Sequence, residues 1–152
     1  MKLDSMQKRS LQVILCASTL VALVGCASPP GNFPEPDLIP ERRSGSQGPE
    51  GFCRRNDDGD LVVRVRNQTN NDVLTETKTS VVFTPGGEVT RTTSLLPGGS
   101  SHDSKFPIPP GCFNPDCDFT ITVDKDDQVD ESHGPAPDNH ETNNIESGIC
   151  IG

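Results

Sequence analysis

The fold this sequence predicts is all-β: a two-layer antiparallel β-sandwich of about seven short strands. Three observations predict it. Apolar and polar residues alternate over short stretches, as at Leu61, Val63 and Val65, or Phe119, Ile121 and Val123. That period puts every second side chain on one face of a strand. Clusters of Asn, Asp, Gly and Pro divide these stretches, at 56–60, 85–87 and 97–99. Such residues accept the backbone that a tight reversal needs. Nowhere do apolar residues recur at i, i+3, i+4 and i+7 over a window long enough for an amphipathic helix.

The elements follow in order. Residues 52–54, Phe-Cys-Arg, read as a short first strand before the turn at 56–60. Residues 61–66 alternate, with Leu61, Val63 and Val65 facing a core and Arg64 and Arg66 facing water. Residues 67–72 are polar punctuation. Residues 75–84 are rich in β-branched side chains, with Val81 and Phe83 as inward candidates. Pro85-Gly86-Gly87 turns the chain, and residues 89–94 run back. Leu95 and Leu96 precede a second turn, and residues 105–109 offer Phe106 and Ile108 to one face. Residues 118–123 form the cleanest strand. A long acidic loop, 124–144, leads to a last strand over Ile145–Ile151. No internal repeat recurs at a fixed period, so this is one module.

The chain begins differently. Lys2, Lys8 and Arg9 precede an apolar run from Leu11 that exits through small residues. These are the parts of a secretory signal. The run is about 14 residues and carries Gln12, Ser18 and Thr19, against the ~20 apolar residues a spanning helix needs. It closes on Leu23-Val24-Gly25-Cys26, which resembles the lipobox of bacterial lipoproteins. The resemblance implies cleavage before Cys26, lipidation of the Cys26 thiol, and a cell-envelope protein held on the membrane through that lipid. Ala27 rather than Asp follows, which in the Gram-negative rule points to the outer membrane where the cell has one.

Residues 1–25 are therefore read as signal, 26–50 as a disordered tether and 51–152 as the folded domain. The tether holds Pro29, Pro30, Pro34, Pro36, Pro40 and Pro49. Proline at this density favours an extended chain of about 3.1 Å per residue, which would carry the domain up to ~75 Å from the bilayer.

The full chain has 13 basic and 22 acidic residues. Cleavage removes Lys2, Lys8, Arg9 and Asp4, leaving 10 basic and 21 acidic residues and a net charge of −11. Such a surface repels nucleic acid and anionic headgroups. Cys16 leaves with the signal and Cys26 is assigned to the lipid. Cys53, Cys112, Cys117 and Cys150 remain, an even number in an exported chain, so two disulfides are expected. Four cysteines allow three pairings. Cys53–Cys150 with Cys112–Cys117 is favoured, because the first ties the two ends of the domain together; chain entropy puts that long closure at about 4–5 kcal/mol and the short one at about 2. The rival use, zinc, lacks a second pair at zinc-site spacing.

Three segments resemble the CARDB family, the cell adhesion related domain found in bacteria. They are Leu61-Val62-Val63-Arg64-Val65-Arg66-Asn67, the turn Leu96-Pro97-Gly98-Gly99-Ser100, and Phe119-Thr120-Ile121-Thr122-Val123-Asp124 with Val129-Asp130-Glu131 and Glu141-Thr142-Asn143-Asn144 after it. Together they span roughly residues 57–150. The resemblance implies an immunoglobulin-like sandwich in a surface protein, with no catalytic activity. The insertion at 132–140 and the four cysteines depart from the family pattern. Trp and Tyr are absent, which excludes the antibody-type core.

The acidic loop is the densest chemistry. Asp124, Asp126, Asp130 and Glu131 are candidate calcium ligands, because calcium takes clustered carboxylate oxygens. The EF-hand template fails, with Val129 in place of its glycine and Pro135 in place of its last Glu. The alternative is a solvated loop with Val129 in the core and Glu131 hydrogen-bonded to backbone. No other cofactor is implied. His133 and His140, with Asp138 or Glu141, offer transition-metal ligands or simple surface residues. Ser101-His102-Asp103 has the residue types of a hydrolase triad, but neighbours on a strand point to opposite faces. Arg54, Arg55, Arg64, Arg66 and Arg91 read as outward charges that discourage edge pairing, or as a patch for an acidic partner. The expected function is non-catalytic binding of protein or carbohydrate at the cell envelope. The competing expectation is a structural or accessory subunit of an envelope assembly, calcium-stabilised through the 124–144 loop.

Overall fold

A computed structural model describes residues 35–48, 50–132 and 140–152. They belong to one compact unit, and the second unit, Met1–Gly31, lies outside them, as do Cys26, His133 and Asp138. Seven strands form two antiparallel sheets. They are β1 Leu38–Pro40, β2 Asp60–Asn67, β3 Thr77–Thr84, β4 Gly87–Thr93, β5 Ser101–Pro107, β6 Asp116–Thr122 and β7 Ile145–Ile151. The three-stranded sheet runs β1-β2-β5 and the four-stranded sheet β4-β3-β6-β7. The only helix among the described residues is a 3₁₀ turn, His140–Asn143.

The alternation read from the sequence builds the core. Leu61, Val63 and Val65 of β2 meet Val81 and Phe83 of β3, with Phe119 and Ile121 of β6, Phe106 of β5 and Val123 all buried in one cluster. Each such side chain contributes about 1.5–3 kcal/mol of burial. Register follows from the same pattern, since Phe83 lies opposite Phe119 and Val81 opposite Ile121. A one-residue slip would turn both pairs into water.

Two boundaries differ from the sequence reading. The first strand is not 52–54, where Cys53 and Arg55 make only isolated bridges, to Gln47 and Leu61. It is Leu38–Pro40, inside the stretch assigned to the tether. Leu38 is fully buried, and β1 pairs with the Asn67 end of β2. The tether therefore does not extend to residue 50. Prolines at 36 and 40 mimic a linker, yet proline is tolerated on an edge strand, where its missing N–H faces no partner. The arm that follows is held too: Glu41 N donates to Arg64 O at 2.8 Å and Gln47 N to Cys53 O at 2.6 Å. β5 also starts earlier than expected, at Ser101, because it pairs with all of β2 up to Arg66.

The sandwich has two ends of opposite character. At one, Cys112 is bonded to Cys117 and Cys53 to Cys150, on neighbouring positions of β6 and β7. At the other, the last residues of β2 and β6 and the first residues of β1, β3 and β7 meet the 124–131 loop and the 3₁₀ turn.

Candidate functional site

The acidic end is built from residues far apart in sequence. Glu131 has no exposed surface. Its Oε1 accepts a hydrogen bond from Leu38 N at 3.1 Å, and its own N–H donates to Glu141 Oε1 at 2.8 Å. Asn144, with its amide nitrogen facing its acceptors, donates to Glu131 Oε2 at 3.2 Å and to Leu38 O. Burial pushes the Glu131 carboxyl up to about 8. The Leu38 N–H opposes that shift, and Asp37, Glu141 and Asp124 add to it. Burial favours the neutral, protonated form, against the N–H donors of Leu38 and Asn144.

Asp37 is buried beside it. Its Oδ2 lies 2.9 Å from His140 Nδ1 and accepts from Gln68 Nε2 at 3.3 Å, and its Oδ1 accepts from Asn143 Nδ2 at 3.1 Å. Asn67, also fully buried, stitches two loops: its amide donates to Asn71 O at 2.6 Å and Leu96 O at 3.2 Å, and its Oδ1 accepts from Thr69. Asp124 takes a positive φ of 45°, which lets its Oδ2 accept from Val129 N at 2.7 Å. Burial raises its carboxyl, and the Val129 and Gln128 N–H groups oppose that. Its Oδ1 has no hydrogen-bond partner.

These placements do not bring the four candidate calcium ligands together. Asp124 and Glu131 turn inward to backbone amides, whereas Asp126 pairs with Lys78 Nζ at 2.5 Å and Asp130 accepts from Ser132 N at 3.1 Å. Among the described residues no three His, Cys, Asp or Glu side chains form a group suited to a metal. Val129 is in the core and Glu131 is on a backbone amide, as the alternative had it. His140 meets Asp37.

The second charged feature is the outer face of the three-stranded sheet. Asp103, of the Ser-His-Asp run, is its centre. Arg64 grips it with Nε at 2.6 Å from Oδ1 and Nη2 at 3.0 Å from Oδ2. Arg43 and Arg54 reach the same Oδ2 at 3.0 and 3.5 Å. Arg66 and Arg64 share Glu41 at 2.9 and 3.8 Å. The Arg64 hydrogen bond, with Arg43 beside it, holds the Asp103 carboxyl below its ordinary range against the effect of burial. Asp103 is thus committed to arginines and orients no histidine.

Aromatic rings are scarce on the surface. Phe52, Phe83, Phe106 and Phe119 are buried, and Phe113 is half-buried beneath Arg55, whose guanidinium sits 4.5 Å from the ring centre. An open hollow of about 440 Å³ on the four-stranded sheet is lined by Glu50, Thr84, Asp118, Phe119, Thr120 and Ser147. The Phe119 ring there is 2% exposed, too little for a sugar to stack on.

No protein-family model matches the chain, and no curated protein matches it. The CARDB likeness therefore rests on the three segments alone. A solved structure does match in fold. The solution NMR structure of the 272–376 domain of a Methanosarcina acetivorans protein, one named for the cell surface, is 21% identical. The match covers 77% of this chain and 91% of that one, with a TM-score of 0.54, and the shared feature is the β-sandwich.

Proposed function

We propose that this chain is a lipid-anchored cell-envelope protein whose sandwich is a non-catalytic binding module of the CARDB kind. The observation that carries the reading is a two-disulfide sandwich behind a leader ending in Leu23-Val24-Gly25-Cys26. Disulfides persist in exported compartments, and the leader supplies both export and an anchor. The surface name of the similar NMR domain agrees with it. The module takes protein or carbohydrate through arginine, hydroxyl and carboxylate contacts rather than aromatic stacking. With Leu38 in the core and Asp37 bonded beside it, at most residues 27–36 separate Cys26 from the fold. Ten residues reach at most about 36 Å, about half the span expected from a tether ending at residue 50.

A second reading, a permanent subunit of an envelope assembly, is favoured by Ile145 and Ile151. They lie on edge strand β7 and are 55% and 53% exposed. Two measurements test these readings. Mass spectrometry of the mature N-terminus reads diacylglycerol on Cys26, and an unmodified, free-floating product removes the anchor. Pull-down from detergent extracts then separates the two roles. A stoichiometric partner supports the subunit, and transient protein or glycan capture supports the binder.

A further inference from the structure

We propose that the arginine face of the three-stranded sheet rests on the anionic headgroups of the membrane that carries the anchor, leaving the four-stranded sheet outermost. The inference depends on the lipid-anchor reading above. Four guanidiniums, Arg43, Arg54, Arg64 and Arg66, gather around two carboxylates, Asp103 and Glu41. The cluster keeps two positive charges in surplus within a chain that carries −11 after residue 25. Arg54 and Arg66 keep 42% and 48% of their side chains exposed, and guanidinium donors match phosphate oxygens.

Net charge alone predicts repulsion from anionic headgroups. The fold separates the signs. Asp126, Asp127 and Asp130 sit at the loop end, whereas the arginines share one sheet face. Beyond a Debye length of about 8 Å the net charge is screened, so at contact the local patch decides. A surplus of two charges would hold a free partner weakly. A short leash supplies the high effective concentration that makes a weak contact sufficient. The leash also arrives on this sheet: β1 is its edge strand, and Ile39 lies opposite Arg66.

The test uses residues 26–152 with the Cys26 thiol coupled to a maleimide phospholipid, the other cysteines of this stretch being paired. The native chain has no Trp or Tyr, so one introduced Trp reports alone. Ser101→Trp reports from the arginine face, opposite Arg66, and Ile145→Trp from the other sheet. Energy transfer to a dansyl headgroup is measured on vesicles containing phosphatidylglycerol. The expected result is about twofold more transfer from Ser101→Trp, with the difference lost near 1 M salt, where the Debye length is ~3 Å. Arg54→Gln with Arg66→Gln removes it at low salt. Equal transfer from both positions, or a difference indifferent to salt, overturns the proposal. The chemical anchor keeps the two ideas apart: unmodified Cys26 in native membranes defeats the anchor reading, and equal transfer here defeats the orientation alone.

Discussion

The two ends of the sandwich are closed by opposite chemistry. At one end Cys53–Cys150 and Cys112–Cys117 fix the chain covalently. At the other, where β1 enters, buried carboxyls do the work: Glu131 on Leu38 N, Asp37 on His140 and Asn143, and Asp124 on Val129 N. The covalent end answers to redox conditions and is blind to pH. The acidic end answers to pH and is blind to thiols. A small polar domain with one modest core draws on both.

The largest effect is expected at the covalent end. The Cys53–Cys150 bond joins residues 97 apart. Cys53→Ala with Cys150→Ala lowers unfolding free energy by about 4–5 kcal/mol, read as a drop in urea midpoint. A loss under about 1 kcal/mol would mean that the arm 41–55 is held mainly by its hydrogen bonds.

Glu131 comes next, and the sign of its effect follows from burial. Its carboxyl in the fold lies at about 8, above the ordinary 4.5. Between those values the unfolded chain ionises this group while the folded chain keeps its proton. The contribution is full below about pH 4.5, falls as pH rises, and is gone above about pH 8. Glu131→Gln cannot ionise and keeps the acceptor for Leu38 N, while its NH2 group replaces the oxygen that Asn144 meets. It is expected to flatten the alkaline slope of stability. An unchanged slope would place the sensitivity at another group.

Asn67→Ala strips Asn71 O and Leu96 O of their donor at a buried position. The expected cost is about 2–3 kcal/mol in thermal or urea unfolding at any pH. A neutral result would mean that water replaces the amide. The smallest effect belongs to the arginine face. Asp103→Asn costs about 1 kcal/mol or less, because the cluster is half exposed and screened. Asp103 is held below its ordinary range, so its contribution is present above that range and lost as pH falls, the reverse of Glu131. Loss of the cost in high salt separates it from a packing defect.

The strands with clean alternation were legible from the sequence, since period-two burial is local: Ile145–Ile151 keeps its expected bounds, and β6 falls within two residues of them. The cysteine pairing was legible because one bond ties the two ends of the domain together and the other joins near neighbours in the chain. β1 was hidden because Pro36 and Pro40 carry the signature of a linker, and only the bare edge of β2 turns Leu38-Ile39-Pro40 into a strand. The acidic end was hidden for a different reason. Glu131 and Leu38 are 93 residues apart, so a carboxylate-rich loop looked like an ion site instead of a clamp on an unrecognised strand. Asp103 likewise gathers Arg43 and Arg54 from 60 and 49 residues away.

The claim that most needs a direct test is that a neutral carboxyl closes the acidic end. Carbon-detected NMR of the Glu131 side-chain carboxyl, followed against pH in the disulfide-bonded protein, reads it without unfolding anything. A titration midpoint near 8 is the result this account predicts. A midpoint in the ordinary carboxylate range, about 4.3, would contradict it.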